Sequence, residues 1–247
     1  MFADIPEDTG TFRRKAYVSI KEGRPIMFQF LDDHPERFLV HTIKTSDGRW
    51  PKLLHVEDSP LMNEAWFNQQ YKPRWRYRVN VLDVTPYVSN PITGTKINAL
   101  MGVVPERDPI DGSSLQGIEP KPLNEVKILE QGIKLFKQFN AVIQSLQLGK
   151  EDFDPRQVVF YLQAVGSGLK KVTTAFPRTD IPAQDISDYE PFDLDIPPFS
   201  DEEIQMMLRG TALSKVYDLR REAVSQEFVG GMPEGLDYAK NSIPGLG

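Results

Sequence analysis

The stretch RWRYRVNVLDV, residues 74–84, decides how the rest of the chain is read. Trp75, Tyr77, Val79 and Val81 alternate with Arg74, Arg76, Arg78 and Asn80. A period of two puts the two sets on opposite faces of a β-strand. On the basic face the arginines fall about 6–7 Å apart, close to the spacing of phosphates along an extended nucleic-acid strand. With Lys72 the run KPRWRYR holds four basic residues and no acidic one. Single strands are held by cations on the phosphates and by aromatic rings on which bases stack, and this run supplies both. The plainer reading of the arginines is a solvated face. Trp75 and Tyr77 share a side with Val79 and Val81, which points to core before it points to stacking.

Outward from that strand the elements are short. PIMFQFLDD and ERFLVHTIKT read as strands parted by an Asp-His-Pro-Glu turn. SDGRWPK centres a turn on Asp47-Gly48. Val56–Gln70 reads as irregular, with a short helix around Asn63–Gln69. Downstream, Thr85–Asn124 holds six prolines and four glycines, and only KINALMGVV inside it has an ordered pattern. EVKILE reads as a strand. In GIKLFKQFNAVIQSLQ the period becomes helical, with Ile133, Phe136, Phe139, Val142, Ile143 and Leu146 on one stripe. DPRQVVFYLQAV and KKVTTAFP form a hairpin about Gly166-Ser167-Gly168. Ser200, with Glu203 three residues on, predicts a capping box. Gly210 ends or interrupts that helix, and a second runs from about Thr211 to Phe228.

This order predicts a mainly β fold with helices (α+β): an OB-fold Greek-key barrel with a C-terminal helical extension. The expected divisions are an N-terminal arm at 1–25 and a core at 26–180 with an insertion at 85–124. An acidic, proline-rich linker at 181–199, a helical segment at 200–228 and a mobile tail at 229–247 follow.

Composition narrows the classes. With no cysteine in 247 residues, disulfides and thiolate chemistry are excluded. The first residues are acidic where a leader would be basic and then apolar, and the apolar runs are too short for a bilayer. A soluble, intracellular protein without membrane association is expected. The net charge of −6 hides an uneven distribution. Asp180–Glu203 carries nine acidic residues and no basic one, so a basic body meets an acidic extension.

Two further clusters are candidates for nucleic acid. In the hairpin, Lys170 and Lys171 flank a glycine turn that a phosphate can approach closely, and Tyr161 lies on the strand before it; a plain exposed turn explains them equally. Lys44, Arg49, Trp50 and Lys52 form a weaker group. No Walker A, HExxH or Gly-x-Ser-x-Gly occurs. His34, His41 and His55 are dispersed, and the Asp152/Asp154 and Asp193/Asp195 pairs fall at a strand start and in the linker. No enzyme and no cofactor are expected.

Four segments resemble one known family. RYRVNVLD, EVKILEQGIKLFKQF, FYLQAVGSGLKKVTTAFP and PPFSDEEIQMMLRG follow the order and spacing found in the single-stranded DNA-binding, helix-destabilising proteins of tailed bacteriophages. The similarity spans about residues 26–210. It implies an OB-fold that binds single strands during replication, recombination and repair in the host cytoplasm. Many relatives carry a Cys-Pro-Leu-Cys half of a zinc site before the RYRVNVLD-like strand. Here the place reads Ser59-Pro60-Leu61-Met62 after His55, which cannot complete four ligands. No metal is expected, and packing around Leu61, Met62 and Trp66 should hold the loop. Asp180–Glu203 could recruit replication or recombination proteins, or occupy the basic groove when DNA is absent; the plainer expectation is that Phe192, Leu194 and Ile196 pack on the core. A phage interaction protein that binds protein partners, and a recombination mediator, are the alternatives.

Overall fold

The computed structural model describes residues 16–99, 104–148, 153–166, 171–196 and 198–230, with side chains to residue 222. Its strands are β1 (Ile26–Phe30), β2 (Glu36–Thr42), β3 (Lys52–Leu54), β4 (Arg74–Asp83), β5 (Pro86–Ser89), β6 (Lys96–Asn98), β7 (Lys121–Pro122), β8 (Glu125–Gly132), β9 (Val159–Val165) and β10 (Val172–Arg178). Its helices are α1 (Pro60–Asn63), α2 (Ala65–Gln70), α3 (Ile133–Gln147), α4 (Asp201–Leu208) and α5 (Leu213–Gly230). The chain divides into two compact units, Met1–Val40 with Arg74–Pro197 and His41–Pro73 with Pro198–Gly247.

The larger sheet has the order β10-β9-β1-β4-β2-β3, with β8 also paired to β4. β4 meets β2 through Arg74–Arg78 and β1 through Val81–Asp83, while β8 pairs with Arg76–Asp83. β8 therefore takes one edge of β4 from Arg76 onward, and β1 and β2 share the other. The result is a mainly β, α+β architecture. The barrel expected from the sequence is not closed by strand pairing among the described residues. Instead α3 packs against β4, β8 and β10 and fills the space between them.

Side-chain alternation gives this sheet two apolar faces. On one, Phe28, Phe30, Val79, Val81, Leu129 and Phe160 pack against Leu135, Phe136 and Phe139 of α3. The rings of Phe28, Phe30, Phe139 and Phe160 lie 5.1–5.9 Å apart, mostly edge to face, the geometry that ring quadrupoles favour. On the other, Met27, Leu31, Leu82, Val84, Val126 and Val159 are covered by Ile181, Ile186, Tyr189 and Phe192.

That second cover follows the plainer expectation for the acidic stretch, whose apolar residues Phe192 and Leu194 pack on the core. Residues 181–196 form a strap. Its carboxylates at Asp185, Asp188, Glu190, Asp193 and Asp195 are exposed, while Leu194 is buried and Ile186, Tyr189, Phe192 and Ile196 are half-buried. Side-chain bonds fix its backbone. Gln29 Nε2 donates to Gln184 O (2.9 Å) and Gln29 Oε1 accepts from Gln184 N (2.9 Å); Asn80 Nδ2 donates to Phe192 O (2.9 Å), and Phe192 N donates to Asn80 Oδ1 (3.0 Å).

Two other expectations change. The described residues of Thr85–Asn124 are ordered; residues 100–103 are not among the described ones. β5 pairs with β6 and β7, and Val88, Ala99 and Leu115 bury a small core of their own. Strands of two to four residues have too little length to show a period. The arm is also attached at its described end: Val18 N donates to Ile128 O (2.9 Å), and Val18 and Ile20 pack on the core. Residues 1–15 and the tail beyond 230 lie outside the described residues.

In the second unit, Ile43, Leu53, Leu61, Met62 and Phe67 share a core with Phe199, Ile204, Met207, Leu213 and Val216. The C-terminal helices are thus part of a core rather than an extension. The capping box forms as its sequence predicts, with Ser200 Oγ accepting from Glu203 N and Glu203 from Ser200 N. Gly210, at φ +98°, follows α4 in a conformation that favours glycine. Asp201 ties the helices together, accepting from Ser59 Oγ (2.5 Å) and Leu61 N (3.0 Å). Leu61 and Met62 are buried as expected, but Phe67 is fully buried while Trp66 stays 46% exposed, so Phe67 is the aromatic anchor.

Candidate nucleic-acid interface

β4 is ten residues long and its cover is uneven. Val79–Asp83 are buried, Arg76 and Tyr77 half-buried, and Arg74 and Trp75 exposed. At the open end lies a cleft of about 660 Å³, lined by Arg74, Trp75 and Arg76 of β4, the start of α3, and Lys171 to Thr173 at the start of β10. Lys134 and Gln138 of α3 complete the polar lining. Four cations from three elements converge there, and among the described residues that line the cleft there is no carboxylate.

Local structure explains the convergence. Gly132, the partner of Arg76 across the β4–β8 ladder, is also the N-cap of α3. A Cβ at Gly132 would sit 3.8 Å from Arg76 Nη1, so the guanidinium packs directly over this backbone. The cap offers no side-chain acceptor, leaving the first-turn N–H groups and the positive end of the helix dipole on the same side as Lys134. Lys171 Nζ donates to Ile20 O, which holds its charge beside the cleft.

Trp75 departs from the core reading. It is 44% exposed, and Arg37 of β2 lies over its ring with Cζ 3.6 Å from the centroid. Such a cation–π contact holds the indole plane with a base-sized ring surface in the cleft lining. Tyr77 is half-buried and stacked on Phe136 at 5.3 Å, so it is core.

Arg78, expected on the binding face, is a correction. It is buried, with Nη2 2.9 Å and Nε 3.0 Å from Glu130 Oε2 and Nη1 donating to Leu194 O at 3.1 Å. The rings of Phe38 and Tyr17 lie over the guanidinium. A phosphate cannot reach it while the strap is in place.

The remaining candidates scatter. Lys72, Lys44, Arg49, Trp50 and Lys52 belong to the second unit. There Arg49 pairs with Asp47 (3.5 Å), and Lys44 lies 5.9 Å from the ring of the exposed Trp50. Tyr161 is half-buried among Met27, Val159 and the strap. Lys170 lies outside the described residues. Lys134, Arg37 and Gln138 were not foreseen. Lys134 and Gln138 sit on the polar side of an amphipathic helix, where a lysine carries no signal of its own.

No three histidine, aspartate or glutamate side chains come together to hold a metal ion among the described residues. In the second unit His41 Nδ1 donates to Tyr71 O (2.5 Å). That fixes its tautomer, so Nε2 accepts from His55 Nδ1 (2.8 Å). Burial, together with the His55 charge, holds the His41 imidazole below its ordinary range against the bond to Tyr71 O. No helix of the described residues is long and apolar enough to cross a membrane. Neither the family models nor the curated proteins give a match to this chain.

Proposed function

We propose that the protein binds single-stranded DNA without base preference, through the basic cleft at the open end of β4, on a coiled sheet of OB type. One observation carries this reading: Arg74, Arg76, Lys134 and Lys171 line one cleft with the ring of Trp75. Cations that meet phosphates read no sequence, and an indole stacks on any base because every base has a π-face. A duplex keeps its bases stacked and offers Trp75 nothing, which is why single strands are favoured. A phage-type role in replication, recombination and repair in the host cytoplasm follows from the family resemblance. The strap's outward carboxylates are the proposed surface for basic protein partners in that work.

Titration of the intrinsic tryptophan fluorescence with poly(dT), duplex DNA and single-stranded RNA tests this. Quenching by poly(dT) that weakens with salt, with much weaker binding of duplex, is the expected outcome. Unchanged fluorescence together with no gel shift at low salt would overturn it.

A further inference from the structure

Beside the basic cleft, between β4 and α3, lies an apolar pocket of about 420 Å³ whose walls include Phe30, Tyr77, Val79, Ile133, Phe136 and Ile143. We infer that it takes one unstacked nucleobase of the strand held in the cleft; this rests on the single-strand reading above.

Continuity is the first support. Ile133 is part of both linings, and its side chain is 42% exposed. Lys134 lines the cleft, and Lys137, one helical turn on, lines the pocket. Residues three apart are neighbours on a helix surface, so a cation for phosphate stands beside each cavity. A strand anchored at Arg74, Arg76 and Lys134 that continues towards Lys137 brings its next base over Ile133 to the pocket.

The chemistry of the lining selects the occupant. Apolar walls with a few polar groups suit a flat ring with polar edges, and small-ligand sites span about 300–1,000 Å³, which includes this volume. Asn140 offers an amide that can both donate and accept. The carboxylates here are engaged within the protein: Asp32 accepts from Asn80 N (2.6 Å) and Nδ2 (3.1 Å), and Asp33 pairs with Arg156 (2.9 Å). Their charge turns a phosphate away from the pocket and leaves the base as the part that enters.

The test compares a dT oligonucleotide with an abasic strand of the same length, using the full chain at one low salt concentration. Wild type should bind dT the more tightly. Asn140→Phe, which places a ring in the pocket, should lose about tenfold in dT affinity, the worth of one stacked base, with abasic affinity unchanged. Asn140→Ala, which removes the amide but leaves the pocket open, should lose less dT affinity than Asn140→Phe and match wild type on the abasic strand. Asn140→Phe binding dT like wild type overturns the pocket and leaves the cleft standing; so does a change of oligomeric state with dT binding unaltered, which assigns the pocket to a second copy. Wild type that binds neither strand overturns the cleft and the pocket together. A readout independent of Asn140 uses Trp75→Ala protein and a strand with one 2-aminopurine. That base should remain shielded from acrylamide, and full accessibility overturns the pocket.

Discussion

The two ends of β4 carry the same alternation of arginine and do opposite things. At Arg74 and Arg76 the guanidiniums line an open cleft with Lys134 and Lys171. At Arg78, one step further along the same face, the guanidinium is sealed against Glu130, Leu194 O and two rings. The strand pattern does not differ; the cover does. Phe192 lies over Asn80 and Leu194 over Arg78. An arginine's task is therefore set by a segment 116 residues downstream, and one run of sequence divides into a binding end and a clamping end.

The largest effect that would break this contrast lies at the clamp. Arg78→Ala removes the guanidinium buried against Glu130 and should cost about 3–5 kcal/mol of stability, read from the denaturant midpoint. A cost of about 1 kcal/mol or less, typical of an exposed pair, would show that the strap does not seal it. At the open end the order reverses. Trp75→Ala should weaken single-strand binding by about 1–3 kcal/mol while changing stability by no more than about 0.5 kcal/mol. Arg37→Ala removes only the partner that holds the indole, and should cost about 0.5–1 kcal/mol of binding. If it costs as much as Trp75→Ala, Arg37 itself touches the strand.

Mild acid should have the smallest effect on binding. No histidine is among the described residues that line the cleft, whereas His34 lines the adjoining pocket, so affinity for an abasic strand, which engages the cleft alone, should hold as pH falls from 7 to 5.5. The second unit behaves differently. The unfolded chain takes up a proton at His41 near the ordinary value of 6.5, and the folded chain only at lower pH. That contribution to stability is complete above about 6.5 and is lost as pH falls below it. A thermal midpoint that does not change over this range in wild type, or changes equally in His41→Gln, would remove His41 as the cause.

The strands and helices near this contrast were largely legible. The period of two at 74–84, the helical stripe from Ile133 and the Ser200–Glu203 box are local patterns, and each formed. Arg78 could not be told from Arg76, because the difference arises from Glu130 and Leu194, which are distant in sequence. Trp75 was misplaced because alternation assigns a face but not the point along the strand where cover ends. Lys134 joined the cleft only through the β4–β8 ladder that sets Gly132 beside Arg76. The strap read as a linker because its apolar residues, Ile186, Tyr189, Phe192 and Leu194, follow neither period.

The salt dependence of single-strand affinity tests the division of β4 most directly. Two proteins are compared with wild type: Arg74→Ala/Arg76→Ala, and Arg78→Met/Glu130→Leu, which replaces both buried charges with apolar groups and so avoids leaving one unpaired. Each lost phosphate contact lowers the log–log slope by about 0.7. The first protein should lose about 1.4 from its slope, and the second should keep the wild-type value. An unchanged slope in the first, or an equal fall in the second, would contradict the assignment of the binding end to Arg74 and Arg76.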